Sequence, residues 1–401
     1  MPQKNLTTQY HQQDTNYYCG AACAQMVLAE IGAGILDQDD LYNDNHSHSV
    51  IEPGWATGPD GLQWTLVNRK PSTFANTFVL FALDNEDLIS RKIVWTIHHY
   101  GVAPIALVYG SQHWIVVRGY DVSANPANAA DNSYTINAVQ INNPWPPTPS
   151  PAPPPPHTLG DACGSGGIRG IADEHISYAT WQSDYMTGAT GGHWNGKFVA
   201  VCDPELPSKT VGRSEHPKPL FDGRRIINRN EATEAAQAGL KHYNMFKKDG
   251  WSDRFNNRTP NEPLLVQRLD RMDSYYYMIP YRNSDNHSTS VVNVDARFGD
   301  YKQAAYFKEP LPHFEKNFHE KERKQLIHSI INKKINIGRR AGKLVVRPEA
   351  FCLYPTLVWK PCRESLSPFW PFHMFTIGSQ HLYVRIDGAI FTTLHDTVKG
   401  I

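Results

Sequence analysis

Cys19 opens an apolar run six residues after Gln13, and the stretch Cys19-Gly20-Ala21-Ala22-Cys23 has the composition of a helix start. A thiolate there meets unpaired backbone N–H groups and the positive end of the helix dipole, which favours ionisation. The six-residue spacing lets the chain turn back and bring the Gln13 amide beside the sulfur, as a donor to a developing oxyanion. Such a nucleophile needs a base. His113 begins a β-rich run after a Gly-Ser-Gln turn, and Asn142-Asn143-Pro144-Trp145 closes the next such run. If those two strands pair, an imidazole and an amide reach neighbouring strand ends that face the Cys19 helix.

The residue types divide the chemistry among themselves. Cys19 supplies the sulfur, and pairing with an imidazolium can lower a thiol pKa from about 8.5 to about 3–4. His113 holds the proton and returns it to the leaving amine. Asn143 accepts from one ring N–H and fixes the tautomer without adding a charge. Gln13 and the Cys19 backbone amide form an oxyanion hole, in which one donor is typically worth about 3–4 kcal/mol of barrier. Asn143 is preferred to Asn142 because it precedes Pro144, and Gln13 to Gln12 on spacing. Cys23, one turn after Cys19, is expected to be core packing.

In the order Gln13, Cys19-Gly20, His113, Asn143-Pro144-Trp145, the chain resembles the papain-like cysteine peptidases over roughly residues 10–202. The helix start, the Trp55-Ala56-Thr57-Gly58-Pro59 stretch and the run from His113 to Asp121 are most similar to the compact bacterial branch with the double-glycine leader peptidases and some effector proteases. That branch usually has Asp before Pro, where this chain has Asn143. The resemblance implies a helix packed on an antiparallel sheet, and peptide hydrolysis through a thioester acyl-enzyme, with no cofactor or metal. Acyl transfer and side-chain deamidation use the same residues, and an inactive binding domain is the non-enzymatic alternative.

Those residues need elements to hold them. Residues 19–31 are apolar nearly all round and predict a buried helix stopped by Gly32 and Gly34. Residues 37–61 are polar and turn-rich, with His46 and His48 in an expected solvated loop, and a short helix follows at 62–67. Residues 85–100 carry an Asn85 cap and a Gly101 stop. Residues 103–109, 113–120 and 134–141 predict an antiparallel meander, resumed at 176–178 and 197–202. The proline tract at 144–156 predicts an extended loop. In the second half, helices are expected at 231–243, capped by Asn230, and at 314–331. Strands are expected at 274–280, 289–295, 343–347, 382–386 and 389–394.

The fold class expected is therefore α+β: a papain-like domain over 1–205, and an accessory α+β domain of unknown type over 206–401 that recruits substrate or regulates. At 401 residues the chain exceeds one ordinary core. Lys plus Arg equals Asp plus Glu at 39 each, so no global charge draws the protein to nucleic acid or anionic membrane. The basic residues from Lys316 to Arg340 alternate with Glu315, Glu320 and Glu322, as on a solvated helix face. The expected partner is a peptide or protein substrate, with the C-terminal domain or proline-rich loop available to a further protein. Six irregularly spaced cysteines suggest free thiols. The first residues lack a secretory core, and no run of about 18 apolar residues occurs. A soluble protein is expected, cytoplasmic or exported without a signal peptide.

Overall fold

The apolar run after Cys19 forms helix α1 (Cys19–Glu30), buried from Cys19 through Leu28. The computed structural model describes residues 2–144, 171–202, 219–311, 334–336, 343–345, 355–377 and 379–396. Trp145, the proline tract and the helix expected over 314–331 lie outside them. The chain forms two compact units, one comprising Met1–Lys218 with Lys302–Lys308 and Thr397–Ile401, the other Pro219–Tyr301 with Glu309–Asp396.

Among the described residues, three more helices of at least ten residues belong to the first unit. Helix α2 (Gln38–Ser47) replaces the loop expected there. Asp37 caps it by accepting from the Asp39 amide, and Asp39 and Asp40 favour the dipole in its first turn. Its inward positions are Gln38, Leu41 and Asn45, so two of the three are polar and the apolar period that would have marked the helix is missing. His46 therefore sits on a helix, its Nδ1 2.9 Å from the Trp55 carbonyl. His48 stacks on Trp64 with ring centroids 3.4 Å apart. Helix α3 spans Pro59–Arg69. Helix α4 (Glu86–Trp95) has the Asn85 side chain accepting from the Leu88 amide, and runs through one π-turn, Thr96–Tyr100, to Gly101 at φ 67°.

The strands are β1 (Gln3–Asn5), β2 (Val79–Leu83), β3 (Ile105–Val108), β4 (His113–Val122), β5 (Ile136–Asn143), β6 (Ile171–Ser177) and β7 (Phe198–Cys202). They form an antiparallel sheet in the order β6-β5-β4-β3-β7-β2, with β1 beside β4. The segment Lys302–Lys308 returns from the second half of the sequence to extend this sheet, setting Gln303 opposite Ile176 and Ala304 opposite His175. Both residues are buried.

Among the described residues, the second unit holds a sheet in the order Ile390–Phe391, Gln380–Arg385, Phe372–Ile377, Thr356–Trp359, Leu264–Arg268, Tyr275–Arg282, Ser288–Asp295, with Thr259–Pro260 also beside Tyr275–Arg282, and a separate pair of strands, Lys334–Asn336 and Lys343–Val345. Thr356–Trp359 runs parallel to Leu264–Arg268, and the other resolved pairings are antiparallel. Its helix Arg229–His242 is capped two residues earlier than expected. Asn228 and Glu231 form a reciprocal capping box, and Arg225 forks onto the Glu231 carboxylate at 2.7 and 2.6 Å. The whole is a mixed α/β protein with mostly antiparallel sheet. Among the described residues, no helix is long and apolar enough to cross a membrane.

Candidate active site

Three elements far apart in sequence position the candidate residues. Helix α1 starts at Cys19 with Tyr18 as an N-cap that offers no side-chain acceptor, so its first amides keep their hydrogens free for another partner. The backbone amides of Trp114, Gly20 and Cys19 lie near enough to the Cys19 sulfur to lower its proton affinity. Trp114 directly follows His113, which places the thiol against the start of β4. Gly20 is required here: a Cβ on it would lie 2.5 Å from Thr57 Cγ2 and 2.8 Å from Thr57 Oγ1. The Thr57 carbonyl in turn accepts from Trp114 Nε1 at 3.1 Å, binding the Trp55–Gly58 stretch to the start of β4.

His113 follows a tight β3–β4 connection in which Tyr109, Gly110 and Ser111 adopt φ of 53°, 65° and 69°. Such a run of left-handed backbone is costly for Tyr and Ser and fixes where β4 begins. Strand β5 pairs beside it with Asn142 opposite Val116, so His113 and Asn143 share one face of the sheet. His113 Nε2 lies 2.8 Å from Asn143 Oδ1. His113 Nδ1 is buried without a hydrogen-bond partner. Asn142 turns to the other face, where Nδ2 donates to the Thr8 carbonyl and Oδ1 accepts from the Asp173 amide, both at 3.1 Å.

Gln13 is fully buried in the loop ahead of α1. Its Nε2 donates to the Thr15 carbonyl at 2.7 Å, and Oε1 has no partner. A primary amide has two N–H bonds, so one remains for an oxyanion. Gln12 is also buried, and its carbonyl accepts from Gln38 Nε2 at 2.8 Å. Cys23 is buried one turn along α1, consistent with packing.

The electrostatics differ from the ion pair expected from the sequence. Cys19 and His113 are both 0% exposed. Burial pushes the thiol up to about 12, only partly opposed by its three backbone donors. Burial likewise takes the imidazole down to about 4, with the Asn143 hydrogen bond acting the other way. Burial thus favours the neutral form of each group, against the helix terminus and the amide. In the tautomer that gives Nε2–H to Asn143, Nδ1 carries a lone pair.

Sequence reading did not single out Trp114, Thr57 or the buried pair Glu174 and Tyr185 behind Asn143. Glu174 had a visible signal: Asp173-Glu174-His175 is a run of titratable residues inside the strand Ile171–Ser177. The four cysteines among the described residues are buried thiols, and no group of three or more metal-binding side chains is found among those residues. The chain matches no family model, no curated protein and no solved structure.

Proposed function

We propose that the first unit is a cysteine peptidase of papain-like type that hydrolyses peptide bonds through a thioester acyl-enzyme. The observation that carries this reading is the convergence of residues 19, 113, 114 and 143: a helix-start thiol lies against the amide after His113, and His113 holds Asn143 at 2.8 Å. Cys19 attacks the carbonyl carbon as its proton passes to His113 Nδ1. The Cys19 amide and the second N–H of Gln13 receive the oxyanion. The imidazolium then protonates the leaving amine, and the neutral imidazole activates the water that releases the acid. Asn143 keeps the ring in the Nε2–H tautomer throughout. Because Cys19 and His113 are closed to solvent, substrate must displace their cover before reaching the sulfur.

The test is incubation of the full chain with a peptide library, followed by mass analysis of products. New termini that vanish in Cys19→Ala support hydrolysis. A gain of about one mass unit on a side chain, or addition of an amine, assigns the site to deamidation or transfer instead, since all three pass through the same thioester. Product patterns identical with and without Cys19 overturn the catalytic reading.

A further inference from the structure

The 2.8 Å contact between His113 and Asn143 can be made in two ways. Oδ1 can accept from Nε2–H, which leaves Nδ1 bare toward the nucleophile; or Nδ2 can donate to a bare Nε2, which puts the ring proton on Nδ1. Only the first leaves a base able to take a proton from Cys19. Something behind Asn143 must decide between them.

Glu174 is the group in that place. It lies on β6 opposite Ile141 of β5, hence on the same sheet face as Asn143 two residues on, and it is fully buried. Between Glu174 and Ile171 the register slips, with Asp173 at φ 55°, a bulge that re-aims the side chains beside it. Asn143 Nδ2 and Glu174 Oε1 are both buried without a hydrogen-bond partner, although the amide is near enough to pull the carboxyl's proton affinity down. A donor and an acceptor thus face each other, each the complement the other lacks. At the far oxygen, Glu174 Oε2 lies 3.2 Å from the Tyr185 hydroxyl, which lies 2.6 Å from Gln303 Oε1. A phenol has one hydrogen. Given across the shorter contact to Gln303, it leaves Tyr185 able only to accept from Glu174, so a hydrogen on Oε2 completes the chain.

We propose that Glu174 is a positioning residue: as a neutral carboxylic acid donating to Tyr185, it presents Oε1 to Asn143 Nδ2 and so holds Asn143 Oδ1 on His113. Burial independently favours that protonation state, raising the carboxyl to about 8. The role assigned to His113 rests on the catalytic reading above, whereas the orientation of Asn143 does not.

The experiment follows the His113 ring nitrogens by NMR in the full chain labelled with ¹⁵N-histidine, alongside kcat and KM on any peptide found to be cleaved. Wild type should show the Nε2–H tautomer. Glu174→Gln, which keeps a carbonyl oxygen for Asn143 and an N–H for Tyr185, should retain it. Glu174→Leu should admit the Nδ1–H tautomer and lower kcat about tenfold, or about 1.4 kcal/mol at the transition state, with KM little changed. Should Glu174→Leu not fold, Tyr185→Phe reads the same link from its other end and should shift the tautomer in the same direction. A His113 tautomer unchanged in the folded variant overturns the proposal. A shifted tautomer in a protein without hydrolytic activity in any variant, wild type included, upholds the positioning role and removes the catalytic reading.

Discussion

Asn143 holds His113 by one hydrogen bond inside a fully buried site, and the size of that bond sets what its loss should do. Leaving a buried partner unsatisfied costs roughly 1–3 kcal/mol, which corresponds to about 5- to 150-fold in rate if the interaction is needed at the transition state. Asn143→Ala should therefore lower kcat within that range while KM changes little, as steady-state kinetics would show. A loss confined to KM would assign Asn143 to substrate binding instead. The contact between His113 and Asn143 was legible in the sequence because each residue stands at the end of a strand-forming run. The burial of Cys19 and His113 was not legible: the helix terminus and imidazole argue for a thiolate, whereas burial pushes the thiol up to about 12 and the imidazole down to about 4.

Helix α1 shows how an element places its reacting atom. Ala at a helical Gly is ordinarily a gain of up to about 1 kcal/mol. At Gly20 the added Cβ meets Thr57 Cγ2 at 2.5 Å, and overpacking of that kind costs roughly 1–3 kcal/mol. Gly20→Ala should thus lose about 1 kcal/mol net, a Tm drop of roughly 2–4 °C by calorimetry, and adding Thr57→Ser, which deletes the nearest of the clashing atoms but leaves Cβ and Oγ1, should recover part of it. An unchanged Tm in Gly20→Ala would show that Thr57 yields freely. The buried helix α1 and the β3–β5 meander were visible because their apolar runs are continuous. Helix α2 was hidden because Gln38 and Asn45 occupy its inward positions, and the cap at Asn228 because Asn230 offers the same side chain two residues later. The return of Lys302–Lys308 to the first sheet was hidden too, since strand pairing across more than a hundred residues leaves no local mark.

Across the whole chain, buried titratable groups give stability a pH dependence whose sign follows from which state holds more protons. His113 is held at about 4 against an ordinary 6.5, so the unfolded chain takes up the proton first and stability falls as pH drops through that window. Glu174 is held at about 8 against an ordinary 4.5, so the unfolded chain releases the proton first and stability falls as pH rises between those values. Burial also raises Glu30 and Glu86, which act in the same direction as Glu174. Glu174→Gln removes one of these contributions, so its advantage over wild type in chemical denaturation should grow by a few kcal/mol from pH 5 to pH 8, at about 1.36 kcal/mol for each pH unit of the gap. A constant difference would place the Glu174 proton elsewhere. The claim on which the chemistry depends is that His113 activates Cys19, and Cys23 is the internal control, equally buried one turn along the same helix. The direct measurement is the rate of iodoacetamide labelling of each cysteine at pH 7, quantified by peptide mass spectrometry in wild type and in His113→Gln. Cys19 is expected to label well ahead of Cys23 in wild type, and to slow by about a hundredfold in His113→Gln, the low end of what a positioned base contributes. Equal labelling of the two thiols, or a Cys19 rate indifferent to His113, would contradict it.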